Sequence, residues 1–403
     1  MGNGTDCTEI WGSSVCDAER IRNVAGIVTD TYKQGNQVVV VVSAQGDTTD
    51  DLIEKAKEIN PKPSKREMDM LLATGEQISI ALLAMAIENL GYPVVSLTGW
   101  QAGFATDSSH SSARIKKIEA ERLHKELDKN NIVIVAGFQG ISRYGDITTL
   151  GRGGSDTSAV ALAAELKAEL CQIYTDVDGV YTADPRIVKT AKKLDEISFD
   201  EMLELATLGA QVLHNRSVEM AKKYNVNLEV VSSLERKPGT KVKEVVSMEK
   251  MLIRGVTRDS NVARIAVIGL PDKPGIAFRV FSLMSKYNIN VDIILQSIGR
   301  DNTKDISFTV SEDNMDQAVR VLNDNLAALG AQRIEVNDNV CKLSVVGAGM
   351  QTNAGVASKM FEALYEAGIN INMISTSEIK ISVLINKEDS DKGLRVVHDA
   401  FIN

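Results

Sequence analysis

Residues Val38 to Val42 are consecutive valines. An unbroken β-branched run suits a strand buried on both faces, and such strands belong to parallel sheets covered by helices. The surrounding pattern fits that expectation. Strand-like stretches at Tyr92–Leu97, Ile132–Ala136 and Cys171–Thr175 alternate with apolar helical stretches at Leu71–Leu90 and Ser158–Lys167. The alternation predicts an α/β domain with a mainly parallel sheet. Ligands in such sheets bind beyond the carboxyl ends of the strands. The loops expected there are Ser43-Ala44-Gln45-Gly46, Asp176-Val177-Asp178-Gly179 and the run from Thr149 to Thr157.

That last run, Thr149-Leu150-Gly151-Arg152-Gly153-Gly154-Ser155-Asp156-Thr157, sits between a strand and a helix. Its glycines let a ligand approach the backbone closely. The unpaired N–H groups and the dipole of a helix start favour an anion. The spacing matches neither the P-loop nor the dinucleotide fingerprint. Asp176 and Asp178 also suit a plain turn after a strand. Glu76 also suits a first-turn helix charge. His214 reads as a structural residue on an apolar helix face, and the Lys62–Glu67 charge run reads as a solvated loop.

With 403 residues and 44% hydrophobic content, the chain can bury more than one core. A net charge of −9 argues against nucleic acid as a partner. The cysteines (Cys7, Cys16, Cys171 and Cys341) have no metal-ligand spacing, so neither a zinc site nor a disulfide framework is expected. No hydrophobic run reads as long enough to span a membrane. The polar, glycine-rich Met1–Thr8 is not a signal peptide. A cytoplasmic location follows as the expectation.

Past Lys237-Pro238-Gly239-Thr240 the pattern changes. Two similar units follow, each a strand, a glycine loop, a helix, a further strand pair and a helix. The first runs from Val262–Ile268 through Pro274-Gly275-Ile276-Ala277 and a helix at Phe278–Tyr287 to Ile289–Ile294 and Asp305–Val310. The second runs from Cys341–Val346 through Ala354-Gly355-Val356-Ala357 and a helix at Ser358–Ala367 to Ile369–Ile374 and Lys380–Ile385. This is an internal βαββαβ repeat. The second copy is one strand short. The strand-like Met251–Thr257 is expected to supply it, which places the first repeat inside the second. The expected domains are 1–240, 262–335, and 250–260 together with 338–403.

These motifs resemble the aspartate kinases of the amino-acid kinase family. The resemblance rests on Val42–Gly46, Thr74-Gly75-Glu76, Leu97–Gly103, Ala136–Gly140, Gly151–Thr157, Tyr174–Tyr181, Asp184-Pro185-Arg186 and Leu213-His214, and it spans nearly the whole chain. It implies an amino-acid kinase fold followed by paired ACT regulatory domains. It implies ATP-dependent phosphorylation of the aspartate side-chain carboxylate, with Mg2+, at the first step toward lysine, threonine and methionine. Gly12, Ser13, Arg152 and Asp176 then carry the catalytic roles, with no metal held by protein ligands alone. Ser43, Asp47, Thr48, Thr49, Glu76, Arg152, Gly153, Gly154 and Ser155 face the substrate. Glu76 pairs its ammonium and Arg152 clamps a carboxylate. Ser43, Ser155, Thr175, Asp176, Tyr181, Thr182, Asp184, Pro185, Arg186, Gln211 and Val212 are assigned to the nucleotide.

By the same resemblance, the ACT domains bind lysine, threonine or both, and pair chains into a homodimer or larger assembly. The first effector site would use Asp272, Lys273, Pro274, Gly275, Ile276, Ala277, Asn290, Val291, Asp292 and Gln296. The second would use Val356, Ala357, Asn370 and Ile371, in a loop without the Asp and Pro of the first. Neither a nucleic acid nor a membrane is expected as a partner.

The chain departs from the family in places. A lysine that meets the phosphates falls on Glu9, in Glu9-Ile10-Trp11-Gly12-Ser13-Ser14, where a carboxylate would repel them. The preceding Gly2–Asp6 is poor strand material. Gln211 replaces a second lysine, and Asn215 a proline. The departures keep open a second reading, a catalytically weakened, amino-acid-binding paralogue.

Overall fold

The computed structural model describes residues 4–209, 212–244, 253–297, 302–351 and 353–402. Gln211, Met251, Leu252 and Thr352 lie outside them. The chain divides into two units: Met1–Tyr181 with Lys193–Met248, and Thr182–Lys192 with Glu249–Asn403.

The first unit is built on an eight-stranded sheet. The valine run is strand β2, Gln37–Val42, with Val38 to Val42 buried. It pairs in parallel with β1, Thr5–Ile10, and with Ile132–Ala136. Strand β1 pairs on its other side with Leu170–Thr175, also in parallel. Strand β3, Val94–Leu97, closes one edge. Leu228–Ser232, Thr240–Lys243 and Glu196–Ser198 extend the other, with one antiparallel pairing between the first two. The weak strand propensity of the N-terminus is thus overridden by pairing on both sides of β1. A smaller four-stranded sheet holds Phe104–Thr106, Ile115–Ile118, Gln139–Ser142 and Ile147–Thr149.

Helices α1 (Ala18–Lys33), α2 (Thr48–Ile59) and α3 (Lys65–Asn89) flank the sheet. Helix α3 begins earlier than the sequence pattern suggests. Ser64 caps it by accepting from the Glu67 N–H, so the charged Lys65–Glu67 stretch is its first turn, not a solvated loop. Glu76 therefore lies mid-helix, far from the dipole end. By length and composition α3 is also apolar enough to cross a membrane, contrary to the expectation above. Here one face, with Leu72, Ala73, Ile80, Leu83 and Ile87, is buried in the unit's interior, while Met70, Ile78, Leu82 and Met85 are exposed.

The second unit holds two four-stranded antiparallel sheets. One contains Ile294–Gln296, Thr303–Val310, Ala263–Pro271 and Arg333–Asn337. The other contains Gly255–Asp259, Val340–Val346, Lys380–Asn386 and Met373–Thr376. Gly255–Asp259 precedes the first repeat in sequence but pairs with Val340–Val346 of the second, Gly255 opposite Val346. In each repeat the strand expected after the first helix starts later than the apolar pattern implies, because Ile289–Ile293 and Ile369–Asn372 are mostly loop.

The Thr182–Lys192 excursion folds with this unit. Thr182 is buried, its hydroxyl 2.9 Å from His398 Nε2 and accepting from the Lys192 N–H. The Val256 N–H donates to the Thr182 carbonyl, and Lys192 Nζ donates to the Ile402 carbonyl. Val188 and Ala183 join the core of the second repeat.

Candidate active site

Four adjacent parallel strands (Leu170–Thr175, β1, β2 and Ile132–Ala136) end together, and backbone hydrogen bonds tie their loops into one floor. The Trp11 N–H donates to the Tyr174 carbonyl, the Ser43 N–H to Ile10, the Gly137 N–H to Val42, and the Gly46 N–H to Gly12. The packing leaves no room for side chains at the glycines. A Cβ on Gly12 would lie 2.1 Å from the Ala44 carbonyl oxygen, and one on Gly137 would lie 2.6 Å from Ser155 Oγ.

Over this floor stands the helix Gly154–Glu165. Gly151 and Gly153 take left-handed φ values of 81° and 65°. A Cβ at Gly153 would also strike the His214 ring at 2.1 Å, so glycine is required twice over. Between these glycines Arg152 is exposed and makes no ion pair with any described residue. Ser155 and Asp156 are buried in the first turn. The helix starts earlier than the sequence reading has it, and brings Ser155 within the floor. An exposed guanidinium beside free helix N–H groups can hold a carboxylate and a phosphoryl oxygen together.

Glu76 reaches the same region from α3. Gly75 brings that helix against the β2 loop, where a Cβ would sit 2.9 Å from Ala44 Cβ. Burial, only partly offset by the N–H groups of Glu76 and Ala44, pushes the Glu76 carboxyl up to about 8. Its Oε2 is buried with no hydrogen-bond partner. A buried acceptor left open wants a donor, and a ligand ammonium would satisfy it.

Glu9 is the most altered position. It is the penultimate residue of β1, fully buried, with Ser43 Oγ donating to its Oε1 at 3.0 Å and Oε2 unpartnered. Burial, and next the Asp156 charge, raise its pKa well above the ordinary carboxylate value. A carboxyl in such a setting holds its proton more tightly than an exposed one. Burial disfavours the anion expected at Glu9, and a carboxyl supplies no cation there. Asp156 is held by Trp11 Nε1 and by the His214 N–H, both at 3.1 Å, and burial still lifts it to about 6.

His214 is the N-cap of the Asn215–Tyr224 helix, its Nδ1 accepting from the Arg216 N–H, rather than a residue on an apolar face. Asn215 opens that helix at the position where a proline is equally tolerated. Ser13 is half-buried with its hydroxyl unpartnered, and its carbonyl accepts from Arg20. Asp47 is exposed ahead of α2, where Thr48 Oγ1 donates to the Gln45 carbonyl and Thr49 is half-buried.

At the end of Leu170–Thr175, the Thr175 hydroxyl donates to the exposed Asp176 carboxylate at 3.1 Å. Tyr181 donates to Asp178, and Val212 lies half-buried before the His214 cap. Thr182, Asp184, Pro185 and Arg186 belong to the second unit, where Arg186 grips Asp184 at 2.9 Å. No group of three or more His, Cys, Asp or Glu among the described residues forms a metal cage. Asp176 alone suits a magnesium ion that keeps water and phosphate oxygens as its other ligands.

In the second unit, Gly275 and Gly355 stand at equivalent helix starts with φ of 88° and 95°. Lys273, Pro274 and Asn290 are exposed, as is Asn370, while Ile276 and Val356 are buried and Ala277, Val291, Ala357 and Ile371 are half-buried. Asp272 pairs with Lys304 at 2.7 Å, and Asp292 with the buried Lys342 at 2.6 Å. Gln296 lies in an exposed edge strand. The two glycine loops therefore share a backbone but differ in charge.

The profile of the amino acid kinase family matches residues 11–232, and that of the ACT domain matches 265–326 and 343–401. The chain is 52% identical over 391 residues to the aspartokinase of Bacillus sp. (strain MGA3), covering 97% of this chain and 95% of that one. The chain belongs to the aspartokinase family. The aspartokinase of Mycolicibacterium smegmatis is likewise 52% identical, over 396 residues, with 97% and 94% coverage. Among solved structures, E. coli aspartokinase III in complex with aspartate and ADP (R-state) superposes with a TM-score of 0.84 at 26% identity, over 99% of this chain and 100% of that one. The fold is thus an amino-acid kinase domain followed by ACT domains.

The structure adds Asp156, Asp69 and Arg216 to the residues that shape this region. Asp69 had a signal, an acid flanked by Met68 and Met70 in an apolar helix. Arg216 had none.

Proposed function

We propose that this protein phosphorylates the side-chain carboxylate of L-aspartate from ATP. The observation that carries this is Arg152, exposed and unpaired between two left-handed glycines at a helix start. Substrate carboxylate meets Arg152 bidentately, substrate ammonium meets the open Glu76 oxygen, and Ser155 with the first N–H groups of its helix faces the acceptor oxygen. Magnesium nucleotide, when bound, supplies the phosphoryl group and neutralises its charge. Thr175, Asp176 and Tyr181 line the nucleotide side, with Gln211, Val212 and the Thr182–Arg186 segment assigned to it by family resemblance.

In this reading the catalytic domain spans 1–240, with Thr182–Lys192 folded into the other unit, the first ACT domain 262–335, and the second 250–260 with 338–403. The ACT pair senses lysine, threonine or both, chains pair through it at least as dimers, and the enzyme works in the cytoplasm. ADP release measured with ATP, magnesium and aspartate tests the reading. Release that depends on aspartate supports it, and release indifferent to aspartate removes it.

Turnover is slow in this reading. At the end of β1, where the family resemblance puts a lysine, Glu9 offers the phosphoryl group no cation. One charge-assisted contact to a transferring phosphoryl is worth roughly 3 kcal/mol, on the order of a hundredfold in rate.

A further inference from the structure

Asp69, in the second turn of α3, is completely buried and touches none of the groups assigned above to substrate or nucleotide. Donors surround its carboxylate. The Ser111 N–H lies 3.0 Å from both oxygens. The Thr149 N–H donates at 3.1 Å and the Thr149 hydroxyl at 2.7 Å. His110 Nδ1 lies 3.0 Å from Oδ2.

These contacts fix a conformation that the chain would not choose alone. Ser111 has a φ of 67°, in the left-handed region that disfavours a residue with a Cβ. Such a residue persists only where its surroundings over-determine it, and here the carboxylate receives its N–H. The Ser111 carbonyl then lies 3.0 Å from where a Gly151 Cβ would be. The Ala113 N–H donates to the Thr149 carbonyl. Arg216 grips the same segment, donating to the Leu150 carbonyl at 2.8 Å and the Ala113 carbonyl at 3.0 Å. Thr149 and Leu150 are thus clamped immediately before Gly151 and Arg152. Arg152 makes no ion pair with any described residue, so the clamped backbone decides where its side chain is rooted.

We propose that Asp69 is a positioning residue for aspartate recognition: by holding Ser111 and Thr149, it sets the register in which Arg152 meets the substrate carboxylate. The proposal rests on the aspartate-kinase reading above. Asp69→Asn keeps the volume but turns an amide NH2 toward N–H donors, which releases the clamp.

The test is calorimetry on the full chain with aspartate, and separately with ATP and magnesium, beside KM values for both and a circular dichroism spectrum. Asp69→Asn is expected to weaken aspartate binding roughly 10- to 100-fold, as for loss of hydrogen bonds to a charged group, and to leave nucleotide binding within about twofold. Thr149→Val keeps the carboxylate and both backbone donors. It is expected to lose aspartate affinity roughly three- to tenfold with the same selectivity, and it decides the matter if Asp69→Asn does not fold. Folded variants that bind aspartate as the unmodified protein does, or that lose aspartate and nucleotide in parallel, overturn the proposal. Failure of the unmodified protein to bind aspartate removes the kinase reading itself, and this proposal with it.

Discussion

The start of the Gly154–Glu165 helix and the end of β1 stand over the same row of strand ends, and each buries a carboxyl. At the helix start, Asp156 takes N–H donors from Trp11 and His214, and the neighbouring Arg152 remains exposed and unpaired. At the strand end, Glu9 has one donor, Ser43, beside a second acid, and burial raises its pKa well above the ordinary carboxylate value. The first region keeps a cation for its ligand. The second carries, where the family resemblance puts a lysine, an acid whose charged form burial disfavours. Recognition and phosphoryl transfer are therefore built by separable pieces of one site.

The sharpest break in this contrast comes from the helix start. Arg152→Ala should lower kcat/KM for aspartate by roughly a thousandfold, since a bidentate carboxylate contact and its charge disappear together. The KM for ATP should hardly change in the same steady-state assay. Equal losses for both substrates would mean that Arg152 belongs to the nucleotide.

Gly153→Ala tests whether backbone shape matters as much as charge. The new Cβ meets the His214 ring in a left-handed backbone. Thermal melts should show a loss of about 1–3 kcal/mol, and aspartate affinity should fall with it. Wild-type affinity in this variant would show that the loop does not need its left-handed turn.

Glu76 offers a pH test. Its carboxyl, at about 8 in the free protein, must lose its proton to meet an ammonium. Because the ionised form lies above that pKa, aspartate kcat/KM should rise with pH, roughly tenfold per unit below about 8, and then level off. Glu76→Gln should flatten the rise. A flat profile in the unmodified protein would separate Glu76 from the substrate ammonium.

The smallest effect lies in the regulatory unit. Burial lowers the His398 pKa, so the folded state resists a proton that the unfolded chain accepts. Its stabilising contribution is present above the ordinary histidine value and is lost as pH falls through it. Melts of the full chain should show stability falling as pH drops below about 6.5. His398→Gln should remove that dependence.

Much of this was legible in the residues. The valines of β2, the glycines around Arg152 and the duplicated Pro/Ala-Gly-Ile/Val-Ala loops are local signals, because strand burial, left-handed turns and repeats write themselves into neighbouring positions. The raised pKa of Glu9 was not legible. It depends on Asp156, far away in sequence, and on a strand whose composition hides it. The clamp at Asp69 is likewise made by loops distant in sequence, Ser111 and Thr149. The start of α3 was missed because its first turn is charged, and only the Ser64 cap marks it. The excursion Thr182–Lys192 reads as catalytic-domain chain, yet its partners, His398 and Ile402, stand at the other end of the sequence.

The separation of recognition from transfer is tested most directly by single-turnover phosphoryl transfer, measured alongside aspartate binding, in the unmodified protein and in Glu9→Lys. A lysine there would face the buried Asp156 and restore the missing cation. The account predicts ordinary aspartate binding in both proteins, slow transfer in the unmodified one, and a gain of roughly a hundredfold in Glu9→Lys. An unmodified protein that already turns over at about 1–100 s⁻¹, as kinases ordinarily do, or a Glu9→Lys variant that folds, binds aspartate and gains nothing, would contradict it.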